Sequence, residues 1–136
     1  MKRSRMTRWT APLLLVAALA WGGCRSSTRY WPPVEAPAPG TTVEGMASWY
    51  GEKYHGRATA SGEIFNMNEL TAAHAYWAFG TRVRVTMLSN GKQVVVKVND
   101  RFGGHKGRVI DLSKGAAQRI GLIGPGVAKV RLEIVG

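Results

Sequence analysis

The sequence predicts one mainly β domain, a small β-barrel, behind an N-terminal targeting segment and a proline-rich tether. Three observations carry this. Several short stretches alternate apolar and polar residues with a period of two. Glycine, 17 of 136 residues, and turn pairs such as Asn90-Gly91 break the chain at short intervals. Hydrophobic residues make up 45% of the sequence, enough for a core, while the length allows a single domain once the ends are set aside.

Residues 1–23 read as the targeting segment. Lys2, Arg3, Arg5 and Arg8 are basic, Ala11 to Trp21 is apolar and uncharged, and Gly22 and Gly23 are small. Cys24 follows and is the only cysteine, which excludes an internal disulfide and a multi-cysteine zinc site. A cysteine directly after small residues at the end of such a stretch resembles a bacterial lipobox, although Trp21 stands where leucine is usual. Cys24 is then expected to carry lipid and to become the first residue of the mature protein. Arg25 after it resembles the pattern sorted to the outer membrane of a Gram-negative cell. No apolar run is long enough to require a permanent membrane span. Residues 24–42 contain Pro32, Pro33, Pro37 and Pro39 and form a semi-extended tether.

The domain covers residues 43–136. Val43 to Tyr50 is a candidate first strand. Asn68 to His74 is expected to be a short helix. Val83, Val85 and Met87 alternate with Arg82, Arg84 and Thr86, a half-buried strand. Ser89-Asn90-Gly91 turns the chain into a returning strand, Gln93 to Asn99. Ser113 to Ile120 reads as a second helix, capped by Ser113 and closed by Gly121. Lys129 to Val135 alternates again, with Val130, Leu132 and Ile134 on one side. An internal echo spans the domain: a predicted helix start and then a glycine-led strand occur near Phe65 and Gly80 and recur near Ile110 and Gly126. The offset of about 45 residues suggests a duplicated unit. Many short strands with brief helices argue for a small barrel.

The charge narrows the partners. Nineteen basic and eight acidic residues give a formal +11 and a pI near 10.6. Four of the basic residues and none of the acids precede Cys24, so 15 against 8 leaves +7 beyond it. A basic balance suits a polyanion. No zinc finger or aromatic RNA-binding signature is present, so nucleic acid is not expected as a partner. An anionic wall or membrane surface is the more natural one for an exported chain.

Acids are scarce, and cleaving a glycosidic bond needs a carboxyl group to protonate the leaving oxygen. Asp100 ends an apolar strand within Val98-Asn99-Asp100-Arg101, and a glycine-rich loop follows. A carboxylate at a strand end beside a loop is a common place for a site; a turn-capping aspartate paired with Arg101 is the alternative. Taken alone, His74 reads as a packed or surface histidine and Glu63 as a solvated turn acid. Three histidines without clustered carboxylates give no metal site, no other cofactor is expected, and Ser48 and Ser61 lack a nucleophile motif.

Seven segments in order resemble the rare lipoprotein A family: Gly45-Met46-Ala47-Ser48-Trp49-Tyr50-Gly51, His55-Gly56-Arg57, Thr59-Ala60-Ser61-Gly62-Glu63, Leu70-Thr71-Ala72-Ala73-His74, Gly80 to Thr86, Val98-Asn99-Asp100-Arg101 and Gly107 to Ser113. The resemblance covers Val43 to Val135. It implies a six-stranded double-psi β-barrel with internal pseudo-twofold symmetry. It also implies a lytic transglycosylase that cleaves between N-acetylmuramic acid and N-acetylglucosamine in peptidoglycan glycan strands, preferably stem-peptide-poor ones, and leaves 1,6-anhydro ends. The protein would work in the cell envelope, anchored to the outer membrane through Cys24 and facing the periplasm, with division or cell-wall proteins as candidate partners.

Three family positions carry over: Asp100 as general acid and then base, Glu63 as a neighbouring acid that helps it hold a proton, and His74 to orient Asp100 or bind sugar. Trp49, Tyr50 and Tyr54 are candidates to stack on sugar, and Arg101 to bind the muramic lactyl carboxylate. Asn66 stands where the family carries aspartate, and Phe102-Gly103-Gly104-His105 replaces a Gly-Pro loop. The rival reading is an expansin-like module that binds or loosens the wall without cleaving it.

Overall fold

The computed structural model describes residues 36–105 and 107–136; the targeting segment, Cys24 and the tether as far as position 35 lie outside the described residues. Six strands close into a barrel: β1 (Thr42–Tyr50), β2 (Thr71–Ala73), β3 (Arg82–Met87), β4 (Gln93–Asp100), β5 (Arg108–Ser113) and β6 (Ala128–Ile134). Among the described residues, a single 3-10 turn, Glu52–Tyr54, follows β1, and one helix, α1 (Lys114–Ile120), follows β5.

Around the barrel the order is β1-β5-β2-β4-β3-β6. The β1–β5 and β2–β4 pairs are parallel and the other four are antiparallel. Exchanging β1 with β4, β2 with β5 and β3 with β6 maps this order onto itself, so the pseudo-twofold implied by the internal echo is present in the ladder. This is the double-psi barrel.

Alternation builds the core. Val83, Val85 and Met87 of β3, Val94, Val96 and Val98 of β4, and Val130, Leu132 and Ile134 of β6 point inward and are buried. Full burial of each such aliphatic side chain is worth about 1.5–3 kcal/mol. The β3–β4 hairpin turns where Asn90-Gly91 predicts. Gly91 takes the left-handed conformation, at φ 71°, and Asn90 donates from Nδ2 to the Ile120 carbonyl at 2.9 Å, tying the turn to the end of α1.

The helix expected over Asn68 to His74 is instead the strand β2, entered through turns. All three β2 residues are buried, because the strand lies between β4 and β5. A strand covered on both faces shows no alternation, and its two alanines carry no strand signature. The second helix starts at Lys114, directly after β5. Ser113 caps it as expected, its Oγ accepting the Ala116 N–H, and Gly121 closes it in the left-handed region at φ 77°. α1 packs directly on the chain entering β2: a Cβ on Gly115 would stand 2.6 Å from the Asn68 carbonyl oxygen.

Candidate active site

The site forms where β1 and β4 end. Along β1, Ala47 points into the core, so Ser48 and Tyr50 point out of the barrel, where they line an open cavity of about 440 Å³. Trp49, Tyr54, Asp100, Arg101 and Phe102 line it too.

A bulge sets the direction of Asp100. The β2–β4 register pairs Ala72 with Val98 but Ala73 with Asp100, so Asn99 is the extra residue. Asn99 is buried, and Asp100 reaches the cavity. Asp100 Oδ1 accepts the backbone N–H groups of Arg101 (2.8 Å) and Ala60 (2.9 Å), and Oδ2 accepts from the Tyr50 hydroxyl at 3.4 Å. Burial, then the charge of Asp100 and its hydrogen bond, then the charge of Asp111, push the Tyr50 phenol far above its ordinary value. Tyr50 is therefore a donor at neutral pH.

Glu63 and His74 do not line this cavity. Each is tied to the segment that carries Asp100. Glu63 accepts from Asn99 Nδ2 at 3.1 Å and pairs with Lys97 Nζ at 3.0 Å. These two contacts, Asn99 first, hold its carboxyl below the usual range. With the Ser61 N–H donating to the Asn99 carbonyl, Glu63 fastens the 59–63 turn to β4, and that turn presents the Ala60 N–H to Asp100.

His74 donates its backbone N–H to the Asp100 carbonyl at 3.1 Å. Its buried ring stacks on Trp77 with centroids 3.9 Å apart, and Nδ1 accepts the N–H groups of Trp77 (3.0 Å) and Tyr76 (3.3 Å). Burial first, and the Arg101 charge second, pull His74 down to about 4. The ring is neutral, with its proton on Nε2, and acts as a cap for the loop after β2.

Arg101 does not pair with the Asp100 carboxylate. Its guanidinium lies 4.0 Å from the Phe79 ring centroid, donates to the His74 carbonyl at 3.3 Å, and meets no acid among the described residues. The guanidinium thus sits over an aromatic ring at the edge of the Asp100 segment and lines the cavity. Tyr50 has one face covered by Phe65, at 4.5 Å, and Trp49 packs against the core. Tyr54, 43% exposed and flanked by Lys53 and Arg57, has the freest ring of the three candidates for sugar stacking.

The sequence reading missed a second carboxylate. Asp111 lines the cavity, accepts from the Ser48 hydroxyl at 2.5 Å and from Arg108 Nη2 at 2.8 Å, and is thus the acid that shares the space with Asp100. Its signal was available: read as a strand, Val109-Ile110-Asp111-Leu112 alternates and turns Asp111 outward. Among the described residues no three histidines, cysteines or acids are grouped to hold a metal ion.

The family model described as lytic transglycolase matches residues 42–132. The endolytic peptidoglycan transglycosylase RlpA of Campylobacter jejuni is 50% identical over 107 residues, 79% of this chain and 38% of that protein. The protein of the same name from Vibrio cholerae is 50% identical over 96 residues, 71% of this chain and 36% of its own. The chain therefore spans less than two fifths of either relative. Among solved structures, the Streptomyces papain inhibitor superposes with a TM-score of 0.61 at 21% identity, over 75% of this chain and all of the inhibitor. An expansin of Clavibacter michiganensis does so with 0.57 at 25% identity, over 71% of this chain and 51% of its own.

Proposed function

The chain belongs to the lytic transglycolase family that includes the rare lipoprotein A proteins, and from that premise we propose that it cleaves peptidoglycan glycan strands between N-acetylmuramic acid and N-acetylglucosamine, leaving 1,6-anhydro-N-acetylmuramic ends. The observation that carries this reading is the Asp100 carboxyl group, fixed at the mouth of a cavity by two N–H groups and a phenol. Two donors occupy Oδ1, so the transferable proton belongs on Oδ2, which faces Tyr50. Asp100 gives that proton to the glycosidic oxygen as its bond to C1 breaks. The C6 oxygen of the same muramic residue bonds to C1, and its proton returns to Asp100. No water is consumed.

The remaining roles follow from position. His74 and Glu63 hold the backbone and the turn that set Asp100, as positioning residues. Tyr54, with Trp49 and Tyr50, receives sugar faces. Arg101 receives a lactyl carboxylate, which is free only where the stem peptide is missing, so peptide-poor strands suit the site best. Cys24 carries lipid, and residues 24–42 hold the catalytic domain, residues 43–136, off the outer membrane towards the wall. Division and cell-wall proteins are the partners to seek there.

The test is a digest of amidase-treated sacculi with the purified protein, its soluble products identified by mass spectrometry, with Asp100→Asn in parallel. Anhydro-ended fragments from the parent and none from the variant are expected. Binding to sacculi with no fragments from either would replace this reading with the expansin-like one.

A further inference from the structure

The pair formed by Ser48 and Asp111 lines the same cavity and has no part in the chemistry above. The two are register partners in the parallel β1–β5 pair. Asp111 stands between Ile110 and Leu112, which both point into the core, and Ser48 follows core-facing Ala47, so both side chains leave the barrel on the cavity side. The side chains are nearly covered: Ser48 is 8% exposed and Asp111 13%.

A hydroxyl has one proton and two lone pairs. Ser48 spends its proton on Asp111 Oδ1, at 2.5 Å, the length of a charge-assisted bond. Arg108 donates to Oδ2 at 2.8 Å, so both oxygens of Asp111 are engaged as acceptors. Ser48 therefore cannot turn its proton to a ligand. It offers the cavity lone pairs alone, whereas Arg101 offers donors. A glycan strand carries donors of its own along its length, in hydroxyl and acetamido N–H groups.

We propose that Ser48 is a substrate-binding residue that accepts a hydrogen bond from a sugar hydroxyl or acetamido group of the bound strand, and that Asp111 and Arg108 are positioning residues that fix its polarity. This rests on the glycan-strand reading of the cavity. With it, the cavity has an accepting side and a donating side, which gives a bound strand a defined direction.

The test uses the full chain carrying Asp100→Asn throughout, so that strands stay intact. Its probe is soluble glycan strands from amidase-treated sacculi, with binding measured by calorimetry. Ser48→Ala is expected to weaken binding about tenfold or more, the worth of a hydrogen bond to a polarised group. Ser48→Thr, which keeps the hydroxyl, should stay within about threefold. Asp111→Asn should weaken binding about as much as Ser48→Ala, and the double variant should bind no more weakly than Ser48→Ala alone, because Asp111 acts only through Ser48. Synthetic strands whose acetamido nitrogens carry a methyl group in place of hydrogen separate the two donors: the Ser48→Ala penalty vanishes on them if the acetamido group is bound and persists if a hydroxyl is. Thermal melts check that each variant is folded; should Asp111→Asn unfold, the alanine and threonine variants decide alone. Unchanged binding by folded Ser48→Ala, or losses at the two positions that add, would overturn the proposal while leaving the glycan reading standing. Failure of the parent to bind strands overturns the glycan reading, and this inference with it.

Discussion

Taking the protein from pH 7 to pH 4 is expected to cost it about 3 kcal/mol through His74 alone. In the unfolded chain this histidine takes a proton near 6.5, but in the barrel only near 4. Between those values the unfolded state binds a proton that the native state refuses, so stability falls as the pH falls through the interval. Above 6.5 both states are neutral and nothing is lost; below 4 the loss is complete. At 1.36 kcal/mol per pH unit the interval is worth about 3 kcal/mol. The structural cause is specific. Protonating Nδ1 would displace the N–H groups of Trp77 and Tyr76 and bury a cation against the charge of Arg101.

The assay is urea unfolding at intervals from pH 7 to pH 4, with His74→Asn as the comparison. The asparagine side-chain oxygen can cap the same N–H groups but does not titrate. Glu52 and Glu63, both lowered, stabilise the fold above their unfolded value and release that stability as the pH falls below it, equally in both proteins, so the difference isolates His74. Parent and variant losing the same stability across the window would refute the buried, neutral His74 described above.

Other perturbations test the frame around the site. Ser113 Oγ donates to the Glu69 carbonyl and accepts from the N–H groups of Thr71 and Ala116, so Ser113→Ala should lower stability by about 2 kcal/mol or more in chemical denaturation. Gly115→Ala puts a methyl group 2.6 Å from a backbone carbonyl oxygen, and a loss of about 1–3 kcal/mol is expected despite the better helix former; a gain would mean that α1 does not rest on the chain at Asn68. Tyr50 should keep its proton well into the alkaline range, so tyrosinate absorbance up to about pH 11 should match between the parent and Tyr50→Phe. A missing tyrosine signal in the variant would place that phenol in solvent.

Local chemistry was legible wherever it decided the structure. The β3–β4 hairpin follows from alternation on both sides of Asn90-Gly91, and α1 from a serine cap and a glycine stop. β2 escaped because a three-residue strand owes its existence to partners far along the chain, at Lys97 to Asp100 and at Asp111 and Leu112. The site divides the same way. A strand end beside a glycine-rich loop marks Asp100, and family resemblance supplies Glu63 and His74. The contact of Ser48 with Asp111 spans 63 positions and exists only through the parallel register of β1 and β5, which no local pattern encodes. Nor does any spacing announce the bulge at Asn99 that turns Asp100 outward.

The interleaved strand order bears on how the chain can be divided. β1 pairs with β5 and β6, β2 with β4 and β5, and β3 with β4 and β6. Every ladder thus joins a strand before Asn90 to one after it, and neither half holds a single ladder of its own. A nick in the β3–β4 turn would produce two fragments, each unable to make a sheet until it meets the other. Together they carry every pairing the intact barrel has, so the two pieces should reassemble only as complementary partners, at a rate set by their concentration.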